Sequence, residues 1–135
     1  RLPTPLRAAI ASAEDGTSAG QGMQLRIAVD YSAREEILRT ATRFYTTLEI
    51  SQEAFGRMLA RLSHAGENFP NVDLLIRTGG EQRLSDFLLW ECAYAEMIFS
   101  KKLWPDFGEA DLEAAIREYQ TRPRRFGRLP EEKAG

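Results

Sequence analysis

The run Asp73-Leu74-Leu75-Ile76-Arg77 is almost continuously apolar and stops abruptly at Thr78-Gly79-Gly80. So short and unbroken a run does not match the alternation of a sheet with one wet face. It matches a strand covered on both faces, the kind found in parallel sheets whose crossovers lay helices above and below. The other segments agree with that requirement. Leu6, Ala9, Ile10 and Ala13 recur at helical spacing, and small and polar residues break the pattern over 16–22. Residues 25–31 alternate apolar and polar side chains with β-branched residues among them, which predicts a strand. Ser32 with Glu35 makes a capping-box pattern ahead of a helix carrying Ile37, Leu38, Ala41, Phe44 and Tyr45. Ser51 starts another, with Phe55, Met58, Leu59 and Leu62 on its apolar stripe, and Gly66 and Pro70 end it. Phe87, Leu88, Cys92 and Ala95 predict a helix over 85–94, Ile98-Phe99 a brief strand, and Leu112, Ala115, Ile116 and Tyr119 a last helix. Strands alternating with helices point to an α/β fold with a mostly parallel sheet flanked by helices.

Composition narrows what such a fold can do. With 135 residues the chain is one domain at most, and 43% hydrophobic and 28% charged residues exclude disordered, collagenous and membrane-spanning classes. A net charge of -2 argues against non-specific nucleic-acid binding, which draws on a basic excess. One cysteine, Cys92, excludes an internal disulfide framework, no Cys/His cluster has zinc spacing, and a reducing cytoplasm is the expected compartment. The lone His64 has no nucleophile arranged around it and reads as a surface residue. An opening at Arg1 that runs straight into Leu2-Pro3-Thr4-Pro5 reads as the start of a piece trimmed from a longer protein.

The loop Arg77-Thr78-Gly79-Gly80-Glu81-Gln82-Arg83-Leu84-Ser85 joins the predicted buried strand to the predicted helix, the position where α/β sheets bind ligands. Glycines let a backbone approach a ligand with its N–H groups, two arginines offer bidentate bonds to phosphate oxygens, and a helix starting near Ser85 would add its dipole. Three sources of anion affinity converge there. The same residues also suit a plain tight turn, an ordinary cap and a solvated arginine pair, and the loop by itself does not choose.

The segments downstream do choose: Ser85-Asp86-Phe87-Leu88-Leu89-Trp90, then Ala93-Tyr94-Ala95-Glu96, Leu103-Trp104-Pro105-Asp106-Phe107 and Arg124-Arg125-Phe126-Gly127. With the loop, this run resembles the C-terminal signature of the cis-prenyltransferases, the family of undecaprenyl diphosphate synthases and short-chain Z-isoprenyl diphosphate synthases. The resemblance is strong over 73–127 and weaker over 2–31, where a Leu-Pro opening, a helix and an Ile-Ala-x-x-Tyr strand are shared. It implies that residues 1–135 are the C-terminal half of a single cis-prenyltransferase domain, with 128–135 a flexible tail. It further implies that Arg77, Arg83 and Ser85, in a loop shaped by Gly79 and Gly80, grip the diphosphate of isopentenyl diphosphate. Glu96 would help hold Mg²⁺, and Arg125 and Gly127, in an Arg-x-Gly element, would reach a dimer partner's pocket. On spacing alone Glu96 is also readable as a solvated glutamate, the Arg125 run as a basic tail, and Trp104 and Phe107 as core packing. Two positions depart from the family pattern. Ser32-Ala33 precede Arg34 where Tyr-Gly-Gly-Arg is usual, and Asp86 stands in place of Asn, where a carboxylate would favour a helix start and repel a diphosphate.

The activity implied is Mg²⁺-dependent condensation of isopentenyl diphosphate with an allylic diphosphate to a cis (Z) polyprenyl diphosphate. The family's Met-Asp-Gly-Asn-Gly-Arg-like motif, which carries its catalytic aspartate, does not occur in this sequence. No catalytic residue is therefore assigned, and the chain is expected to supply the isopentenyl diphosphate half and to be inactive alone. A homodimer and peripheral membrane association through the lipid product are the implied assemblies. Two other readings stand beside this one. A non-catalytic partner subunit would usually carry a degraded loop, whereas residues 77–83 are intact; an unrelated phosphate-binding α/β module would explain the loop and nothing downstream.

Overall fold

The computed structural model describes residues 2–45, 50–62 and 70–123. In chain order its elements are α1 (Thr4–Thr17), α2 (Ala33–Phe44), α3 (Gln52–Leu62), β1 (Leu74–Arg77), β2 (Glu96–Phe99), a 3-10 turn (Trp104–Asp106) and α4 (Glu109–Thr121). They fall into two compact units, Arg1–Ser32 and Ala33–Gly135. His64, Gly66, Arg125, Gly127 and the tail 128–135 lie outside the described residues.

In the first unit, Pro3 caps α1 and Pro5 sits in its first turn, where a missing N–H costs nothing and a fixed φ favours the helix. Residues 25–31, predicted as a strand, are not one: they make no ladder, and Leu25, Ile27 and Val29 are 73%, 78% and 52% exposed. The alternation is there, but a strand needs a neighbouring strand to form a ladder, and the sheet of the described residues consists of two later strands.

In the second unit α2 and α3 lie against each other. Phe44 meets Phe55 edge-on at 5.3 Å between ring centroids, and Phe55 meets Trp90 at 4.7 Å. Ser51 caps α3 as its spacing predicts, its Oγ accepting from the Ala54 N–H at 3.0 Å. Ser32 stands immediately before α2, and the first two amides of that helix go to Asp86: Ala33 N–H donates to its carbonyl at 3.1 Å and Arg34 N–H to its Oδ1 at 2.8 Å. At the start of α4, Asp111 Oδ2 accepts from the Gly108 N–H at 3.0 Å, while Oδ1 takes the Lys102 ammonium at 2.6 Å. Those bonds hold the Asp111 carboxyl below its ordinary range, the Lys102 bond contributing most.

β1 and β2 run parallel, with Leu74 opposite Glu96 and Arg77 opposite Phe99, so the α/β architecture and the parallel sheet are as expected. The strand is less covered than its composition suggests: Leu75 is buried, and Leu74, Ile76 and Arg77 are half-buried. The crossover between the strands is the larger departure. Residues 85–94, predicted as a helix, form a succession of turns. Ser85, Asp86 and Leu88 take φ of +48°, +67° and +45°, a left-handed region that a right-handed helix cannot contain. One α-turn survives, the Cys92 N–H donating to the Leu88 carbonyl at 2.8 Å, and it buries Glu91 and Cys92. Burial pushes the Glu91 carboxyl up, and burial together with the neighbouring Glu91 charge raises the Cys92 thiol, leaving an inert sulfur. Trp104, predicted as core, is 76% exposed and stacks on Phe107 at 6.5 Å.

Candidate functional site

Strand β1 delivers Arg77 to the mouth of the sheet, and the loop that follows turns back on it. Arg77 Nη1 donates to Ser85 Oγ at 2.9 Å and to the Arg83 carbonyl, while Arg83 Nε donates to the same Ser85 Oγ at 3.2 Å. Two guanidinium groups thus converge on one hydroxyl. Like charges held this close repel, and Glu81, ion-paired to Arg83 Nη1, offsets one of them. The remaining charge is a net cation with donors to spare: among the described residues, Nε and Nη2 of Arg77 and Nη2 of Arg83 make no hydrogen bond. Planar guanidinium donors beside a hydroxyl suit a bidentate oxyanion such as a phosphate.

Two of the expected anion sources are not used in the way the pattern suggests. Gly79 and Gly80 do occupy φ of +88° and +79°, where an L side chain would be strained although open space surrounds both Cα atoms. Their amides, however, are already engaged: Gly79 N–H donates to the Lys102 carbonyl at 2.7 Å and Gly80 N–H to the Ser100 carbonyl at 2.9 Å. The glycines shape the loop and do not offer it donors. The helix dipole expected at Ser85 is also missing, because no helix begins there. What the loop presents to an anion is therefore its side chains.

Glu96, the residue assigned to the metal, is not brought to this cluster. It opens β2 opposite Leu74, three residues from Arg77 along β1 by register, roughly 10 Å at strand rise. Its Oε2 accepts from Arg122 Nη1 at 3.0 Å; Arg122 also donates to the Met97 carbonyl at 3.1 Å and pairs with Glu118. These bonds, the one to Glu96 first, raise the Arg122 guanidinium further above its ordinary value. Among the described residues no three or more His, Cys, Asp or Glu side chains gather as a ligand set. Magnesium is commonly held by one or two carboxylates together with substrate phosphates, and Glu96 offers one such carboxylate, its Oε2 shared with Arg122. Arg34 reaches the site's surroundings through its backbone amide on Asp86, a link that no local pattern announces. No described helix is long and apolar enough to cross a membrane.

Residues 1–127 match the family model described as "Putative undecaprenyl diphosphate synthase". Isoprenyl transferase 1 of Bradyrhizobium diazoefficiens is 48% identical over 129 residues, covering 96% of this chain and 51% of that protein. The ditrans,polycis-undecaprenyl-diphosphate synthase ((2E,6E)-farnesyl-diphosphate specific) of Coxiella burnetii is 41% identical over 128 residues, covering 93% of this chain and 54% of its own. The crystal structure of lavandulyl diphosphate synthase from Lavandula x intermedia, in complex with dimethylallyl diphosphate, superposes with a TM-score of 0.84 at 41% identity, over 95% of this chain and 56% of that one. The chain spans about half the length of the curated relatives it matches.

Proposed function

The chain belongs to the undecaprenyl diphosphate synthase family of prenyltransferases, and from that premise we propose that it supplies the isopentenyl diphosphate-binding half of a cis-prenyltransferase. The observation that carries this reading is the convergence of Arg77 and Arg83 on Ser85 Oγ, a net-positive cluster with unengaged donors at the exit of a parallel strand. In the proposed reaction the isopentenyl double bond attacks the allylic carbon as its bond to diphosphate breaks. Pyrophosphate leaves with the bonding electrons, and loss of a proton from the isopentenyl unit sets a new cis double bond. Arg77, Arg83 and Ser85 bind and orient the isopentenyl diphosphate so that its alkene faces that carbon, a contribution of position and charge. The dimethylallyl diphosphate in the lavender relative supports an allylic diphosphate as the second substrate.

The reading includes the magnesium dependence implied by the family, with Glu96 as a carboxylate that would help hold the ion beside the diphosphates. The same reading includes turnover only alongside the remaining half of a relative-length enzyme, a homodimer in which Arg125 and Gly127 reach the partner, a cytoplasmic setting, and membrane contact through the lipid product. An intact Arg77 to Arg83 loop with its side chains convergent speaks against a non-catalytic subunit.

The test is calorimetric titration of isopentenyl diphosphate into the chain and into Arg77→Ala. Loss of a hydrogen bond to a charged group predicts weakening by more than about 1.5 kcal/mol. Equal affinity in the two proteins would remove Arg77 from the site.

A further inference from the structure

Ser85 Oγ is the hub of the anion cluster, yet nothing in Ser85 itself favours the left-handed backbone at φ +48° that aims it. The next residue supplies the constraint. Asp86, at φ +67°, is fastened at two atoms to the opening turn of α2: its carbonyl accepts from Ala33 N–H at 3.1 Å and its Oδ1 from Arg34 N–H at 2.8 Å. Partners 52 and 53 residues away in sequence thus fix the peptide that carries the Ser85 side chain. The carboxylate is also placed unfavourably for binding, because a negative charge one residue from Ser85 repels any anion that the two guanidinium groups attract.

We propose that Asp86 is a positioning residue for diphosphate: it tethers the Ser85–Asp86 backbone to α2 so that Ser85 Oγ stays between Arg77 and Arg83, while its charge opposes the ligand. This rests on the diphosphate reading of the cluster. Tether and charge are separable by substitution. Asp86→Asn keeps an oxygen that can accept from Arg34 N–H and removes the charge; Asp86→Ala removes both. A cap alone would behave differently, since losing the negative charge at the N-terminus of α2 lowers stability without touching anion affinity.

The experiment is titration of pyrophosphate into the 135-residue chain and the two variants, each well below its thermal midpoint, with midpoints recorded separately. Asp86→Ala is expected to bind about tenfold more weakly, the order of a lost hydrogen bond that positions a charged contact. Asp86→Asn is expected to bind about threefold more tightly, the order of one unit charge removed at such a separation in water, although its midpoint falls. Affinity and stability moving in opposite directions in Asp86→Asn is the signature of the opposing charge, and the loss of affinity from Asp86→Asn to Asp86→Ala is the signature of the tether. An Asp86→Ala that binds as tightly as the parent, or an Asp86→Asn that binds more weakly, overturns the proposal; the second comparison decides the matter if Asp86→Ala does not fold. A parent chain with no measurable pyrophosphate affinity instead overturns the diphosphate reading itself.

Discussion

Ser85 is held in a conformation it would not choose. Each non-glycine residue in the left-handed region costs about 1–2 kcal/mol, and Ser85, Asp86 and Leu88 share that region within four positions. Such clusters persist where surrounding bonds over-determine them, and here those bonds lead to α2 and to two arginines. Replacing Ser85 with glycine should therefore separate strain from recognition. Ser85→Gly is expected to keep or raise stability, by up to about 1 kcal/mol, while isopentenyl diphosphate affinity falls; Ser85→Ala should lower both. Denaturant midpoints paired with calorimetry check this, and a Ser85→Gly protein with undiminished affinity would refute it. At this scale much of the site is legible in the sequence, since Arg77, Arg83 and Ser85 stand in one nine-residue loop. What was not legible is the fate of the glycine amides. Their acceptors, the Lys102 and Ser100 carbonyls, belong to a segment that only the parallel pairing brings alongside.

The cap at Ser51 and the parallel pairing of β1 with β2 came out as the sequence predicts, whereas residues 85–94 and 25–31 did not. Ser51 starts α3 because its own hydroxyl reaches an amide three residues on, so Ser51→Ala should lower stability by about 1 kcal/mol without changing diphosphate affinity; thermal melts decide it, an unchanged midpoint counting against the cap. Residues 85–94 carry helical spacing in Phe87, Leu88 and Cys92, but Asp86 is drawn to the amides of α2, and the left-handed turns that follow pre-empt the helix. Residues 25–31 carry strand alternation and lack a ladder, because pairing is a property of two segments and the sequence of one cannot supply it. Sequence periodicity reads which face is apolar; it does not read what lies opposite.

At the scale of the molecule, a chain about half as long as its relatives should bind without turning over. Incubated with isopentenyl and allylic diphosphates and Mg²⁺, it is expected to release no pyrophosphate, whereas a relative-length enzyme containing it does; product formation by the chain alone would contradict this. Its stability should carry a titration at Glu91. Burial raises Glu91 above its ordinary value of about 4.5, so its favourable contribution is full below that pH and is lost as pH rises through the higher folded value. Glu91→Gln should thus melt higher than the parent at pH about 7 and alike at pH about 4, a gain equal at both pH values being the contrary result. Recognition answers to other groups. With Gly79 and Gly80 amides stitched to the strand exit, the groups left to meet an anion are guanidinium donors and a hydroxyl, with the Asp86 carboxylate one residue away. The backbone then serves only as frame, and whatever grip the chain has on phosphate should rise and fall with the side chains that frame presents.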